Sequence, residues 1–65
     1  MFIEDTKGNL VNTRHIIAIF VSEPYLEQKT YNVVAEITSG GTVILSKHET
    51  ERGARQFMNK YHHMD

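Results

Sequence analysis

Cysteine and tryptophan are absent from this 65-residue chain, and proline occurs once, at position 24. Without cysteine there is no disulfide and no thiolate metal ligand, a composition that fits a reducing compartment without requiring one. Long apolar runs are missing as well. The longest, Ile16–Val21, has six residues, against the ~20 that a membrane-spanning helix needs. Neither sign of charge dominates: seven Lys and Arg stand against eight Asp and Glu, for a formal net charge of −1. That balance points to no particular partner. Met1–Asp5 holds no basic region followed by an apolar stretch, so no signal peptide is expected. The expectation is a soluble, cytoplasmic protein with no membrane association.

What is present fits one domain, residues 1–65. A chain of this size buries only ~60% of the surface it exposes when unfolded. At ~0.05–0.15 kcal/mol per residue, its stability is expected at roughly 3–10 kcal/mol. Self-association is an obvious supplement for so small a core, and it raises the expectation of a homodimer.

The strongest local signal is Tyr31–Lys47. Two β-branched runs flank Ser39-Gly40-Gly41, the pattern of a β-hairpin. Tyr31, Val33, Ala35 and Ile37 alternate with Asn32, Val34, Glu36 and Thr38. On the return strand Thr42, Ile44 and Ser46 alternate with Val43, Leu45 and Lys47. Upstream, Phe2-Ile3-Glu4 and Leu10-Val11-Asn12 read as short strands around the turn residues Asp5–Asn9. Thr13–His15 lacks apolar periodicity and turns the chain, with Asn12 suited to an Asx-turn.

Ile16–Val21 is the most apolar stretch, with Ile17, Ile19 and Val21 on one face and Ile16, Ala18 and Phe20 on the other. Two apolar faces predict cover on both sides. A central strand in a curled sheet would supply it, and so would an interface with another chain. Ser22–Thr30 reads as a loop that is long for a hairpin connection. Its apolar residues Tyr25 and Leu26 either pack back over the sheet, which is the expectation, or form an exposed contact.

The C-terminal segment predicts a helix. Ser46-Lys47-His48-Glu49 fits a capping box, with Thr50 a competing N-cap. Ala54, Phe57, Met58, Tyr61 and Met64 then recur on one helical face, with Thr50 a turn earlier on the same stripe. This stripe reads as core. Gly53 is unfavourable inside a helix by about 1 kcal/mol relative to alanine, and the close approach of a strand or another backbone would explain it.

The order Leu10-Val11-Asn12, a turn, Ile16-x-x-Ile19, then strand, Gly41, strand resembles that of small bacterial flagellar accessory proteins of the FlbD type, over about half of the chain. The shared pattern holds no functional residue, and the 22–30 loop and the final helix depart from it. It implies no activity, partner or site here.

Catalytic signals are lacking. No Gly-x-Ser-x-Gly elbow is present, Ser22, Ser39 and Ser46 cannot be paired with a histidine from sequence, and Gly40-Gly41 sits between strands instead of opening a helix. Adjacent His62 and His63 point about 100° apart on a helix, so they do not converge on one ion. No enzyme activity, cofactor or metal is expected.

The reading is therefore α+β: a small antiparallel meander of about five short strands, curled towards a half-barrel, with one helix packed on it. The expected function is a non-enzymatic protein-interaction or regulatory module that self-associates or binds another protein. Ile16, Ala18, Phe20, Tyr25 and Leu26 are its candidate contact residues. The alternative is a nucleic-acid-binding regulator that uses Arg52, Arg55 and Lys60 of the basic helix.

Overall fold

A computed structural model of the protein describes residues 1–25, 27 and 29–61. Strands β1 (Phe2–Glu4) and β2 (Leu10–Asn12) form a two-stranded antiparallel ribbon. Strands β3 (Ile16–Ser22), β4 (Tyr31–Ile37) and β5 (Thr42–His48) form a separate antiparallel sheet in that order. Helix α1 (Glu51–Asn59) follows. The class is α+β, but the expected single five-stranded meander is two sheets.

Local chemistry explains the joints. Asp5 Oδ1 accepts hydrogen bonds from the amides of Lys7 (2.9 Å) and Asn9 (2.8 Å), closing the β1–β2 turn. Gly8 takes φ +84° within it, a conformation that favours glycine. Asn12 Oδ1 accepts from the Arg14 amide at 3.0 Å, the expected Asx arrangement, and opens a short 3-10 turn over Thr13–His15. That turn ends the ribbon and swings β3 away into the second sheet. The Thr38 amide donates to the His15 carbonyl at 2.8 Å and ties the turn to the end of β4.

Ile3, Val33, Ala35, Leu45 and Ala54 form the buried core, with Ile19, Val21, Tyr31, Val43, Phe57, Met58 and Tyr61 packed around them. The ribbon and the helix therefore share one side of the three-stranded sheet. The helical stripe read from the sequence is core as far as Tyr61, while Met64, like Leu26, His62 and His63, lies outside the described residues.

Two extra residues shift the sheet register. Ile16 pairs with Ile37 and Ala18 with Glu36, leaving Ile17 as a bulge in β3. Val33 pairs with Ser46 and Val34 with Ile44, leaving Leu45 as a bulge in β5. A bulge resets which side the following residues face. Ile16 accordingly packs against the core, while Ile17 is exposed and Ala18 and Phe20 lie on the other side of the sheet. The alternation expected for residues 16–21 breaks at its first step. In β5, Ser46 and His48 lie opposite Val33 and Tyr31, on the helix side with Val43.

The position of β3 also differs from expectation. It is an edge strand, and β4 is central. Connectivity decides this, because in a three-stranded meander the middle strand in sequence is the middle strand in space. β4 is the most buried strand, with Val33, Val34 and Ala35 all buried.

The helix starts later than the capping-box pattern suggests. β5 pairs with β4 as far as His48 opposite Tyr31, so Ser46 is a strand residue, and its hydroxyl contacts the His48 ring instead of a helical amide. Thr50 is the N-cap, with φ −128° and its hydroxyl accepting from the Gly53 amide at 3.1 Å. Thr50→Ala should lower stability by about 1 kcal/mol, seen as a fall of roughly 4–8 °C in Tm. Gly53 is explained by these same neighbours. A Cβ there would lie 3.2 Å from Thr50 Oγ1 and 3.6 Å from the His48 ring, so side chains make the close approach, not a second backbone. Gly53→Ala should accordingly fail to deliver the ~1 kcal/mol that helix propensity alone promises, as urea denaturation would read.

Candidate functional site

Among the described residues, no element of regular structure lies on the side of the sheet away from the helix. Across it, Phe20, Val34 and Ile44 lie in register, one from each strand. Phe20 is 42% exposed, while Val34 between its two neighbours retains 7%. Ala18, Glu36 and Thr42 make the next row towards one end, all exposed. Ser22, Asn32 and Lys47 make the row towards the other. The result is an apolar strip with a carboxylate at one end and an ammonium at the other.

The candidate contact residues sort differently from the sequence expectation. Ala18 and Phe20 share the uncovered side. Ile16 does not join them, because the Ile17 bulge turns it to the core. Tyr25 was expected to pack and is instead 72% exposed, since it stands in the connection after β3 with no regular element over it. Val34 and Ile44 were missed by the sequence reading, although both belong to the same strip. Their signal was present in the alternation of β4 and β5, but the polar neighbours Asn32 and Glu36 made that side look wet.

Further apolar surface lies on the β1–β2 ribbon, where Phe2 and Leu10 are exposed. A shallow cleft beside the ribbon is lined by Leu10, Val11, His15, Ile37, Thr38 and Ser39. Another lies between the Asp5–Asn9 turn and Thr42–Ile44.

Ser46 Oγ does lie 2.7 Å from His48 Nε2, a pairing that the sequence could not supply. Both residues are half-buried. The His48 ring packs on Phe57 with centroids 5.4 Å apart, and neither residue lines the clefts just described. The contact joins the end of β5 to the helix and has the surroundings of a packing interaction. Among the described residues, no group of three or more His, Cys, Asp or Glu is placed to hold a metal ion.

The three helix cations are not equivalent. Arg55 Nε lies 3.5 Å from Glu51 Oε1 in an exposed i,i+4 pair. Lys60 Nζ sits 3.8 Å from the centroid of the Phe57 ring. At about 100° per residue, Arg52 and Arg55 lie on neighbouring rows, while Lys60 lies some 140° from Arg55. A continuous phosphate-facing row does not result. Among the described residues no helix is long and apolar enough to cross a membrane.

Comparisons with protein families, with curated proteins and with solved structures return no match.

Proposed function

We propose that this protein is a non-enzymatic protein-interaction module that self-associates through its three-stranded sheet. The observation that carries the reading is the apolar strip Phe20–Val34–Ile44, one residue from each strand, with Phe20 at its β3 end 42% exposed. A domain this small gains stability from the further apolar burial that self-association supplies. An apolar strip with polar ends is the usual composition of an interface, apolar in the middle and charged at the rim.

Light scattering over a tenfold concentration range tests this reading. The expected result is a mass that rises towards twice the chain mass of 7.5 kDa. A mass that stays at that of one chain at every concentration overturns self-association. Salt-dependent binding to DNA or RNA, lost in an Arg52→Glu, Arg55→Glu double variant, would move the function to the helix instead.

A further inference from the structure

The sheet has two edges, and they are treated differently. Natural proteins blunt an edge strand with charge, proline, bulges or a covering segment, because its unpaired backbone groups otherwise recruit another strand. β5 has three such devices. Lys47 lies in it, Leu45 bulges at its centre, and the Thr6 amide donates to the Ile44 carbonyl at 2.9 Å on its outer side. β3 has almost none. Its sequence Ile-Ile-Ala-Ile-Phe-Val-Ser contains no charge and no proline. Its single bulge, Ile17, falls near its start and leaves Ala18–Ser22 in regular register with β4. Among the described residues, β4 is the only backbone partner of Ala18–Ser22.

The flanks of β3 say which chain fits that edge. Arg14 and His15 precede the strand and Glu23 follows it, all exposed. A parallel neighbour of the same sequence would set like charges together. An antiparallel one sets the basic end of each strand beside the acidic end of the other, twice, about a two-fold axis.

We infer that a second copy of this chain pairs antiparallel along β3, joining the two sheets edge to edge into one of six strands. This rests on the self-association proposed above and specifies its geometry. Regular pairing of Ala18–Ser22 about its central residue sets Phe20 beside Phe20 of the other copy. Directly opposite residues share a face in an antiparallel pair, so both helices lie on the same side of the joined sheet. The two apolar strips then meet at the two Phe20 side chains, an aromatic cross-strand pair. The same register sets Glu23 of each copy opposite Ile17 of the other, two residues from His15.

The test is charge reversal at the two flanks, read by sedimentation equilibrium, with circular dichroism to show that each variant folds. Arg14→Glu and Glu23→Arg should each weaken the dimer about tenfold, through loss of two contacts and gain of two repulsions. The double reversal should bring the dissociation constant back to within about twofold of the native value. Amides of Ala18–Ser22 should exchange more slowly at high protein concentration than at low. A dimer indifferent to both flank reversals, or one whose β3 amides exchange as freely at high concentration as at low, overturns edge pairing and leaves face-to-face stacking. A native protein that is monomeric throughout overturns self-association and edge pairing together.

Discussion

Ile19→Asp should unfold this protein at room temperature. Ile19 lies in β3 on the helix side, opposite Ala35, and packs against the buried cluster of Val33, Ala35, Leu45 and Ala54. An aspartate there removes the apolar contact and sets a carboxylate against a core that offers it no cation. The lost burial is worth about 1.5–3 kcal/mol, and an unpaired polar group in such a site costs several more. Against a total of roughly 3–10 kcal/mol for a chain of this length, the native state loses most or all of its margin. Circular dichroism should show loss of the sheet and helix signals, with no cooperative thermal transition. A folded Ile19→Asp variant would mean that the β3 side chains face the opposite way.

Phe20→Asp, one residue on, should do something different. Phe20 projects from the uncovered side and is already 42% exposed, so its replacement exposes a carboxylate to water instead of burying one. The expected stability loss of the isolated chain is within about 1 kcal/mol, typical of a surface position that keeps some packing. Association should suffer far more. In the β3-paired dimer the two carboxylates would stand side by side, and like charges directly opposite on a sheet are destabilising. Light scattering should report a monomer at concentrations where the native protein is dimeric, while circular dichroism stays near native. If Phe20→Asp unfolds as Ile19→Asp does, the uncovered side is part of the folding core and the interaction surface lies elsewhere.

Adjacent residues with opposite outcomes mark the limit of what this sequence reveals. The strands were legible because their composition is local: β-branched runs, the Gly40-Gly41 break, and Asp5 and Asn12 as turn-makers. The helical stripe was legible for the same reason, since Ala54, Phe57, Met58 and Tyr61 follow a 3.6-residue period. The role of Ile16–Val21 was not. Its two apolar faces signal a need for cover, yet composition does not say whether cover comes from a neighbouring strand, a helix or another molecule. Position in the sheet is a property of connectivity, and it made β4 the central strand although β3 is the more apolar.

The candidate site was half legible. Ala18 and Phe20 share one side of the sheet, while Ile16, which simple alternation groups with them, packs against the core. A bulge has no reliable composition, and one extra residue reverses every assignment on its far side. Ser46 shows the complementary failure. Its spacing to Glu49 satisfies a helix-start pattern, but pairing of β5 with β4 to the level of Tyr31 holds it in the sheet, and Thr50 takes the cap. Long-range pairing outweighed a local preference worth about 1 kcal/mol.

The two bulges divide the sheet into a ruler and two vernier scales. β4 carries no extra residue, and both bulges sit on its neighbours, Ile17 in β3 and Leu45 in β5. Loss of Leu45 would restore simple alternation to β5 and leave Ser46 and His48 opposite Val33 and Tyr31, still facing the helix. Loss or gain of a residue in β4 would instead displace both neighbours at once and exchange Val33 and Ala35 for Val34 across the sheet. Tolerance to changes in chain length should therefore be concentrated in the outer strands and absent from the middle one, whatever the composition of each.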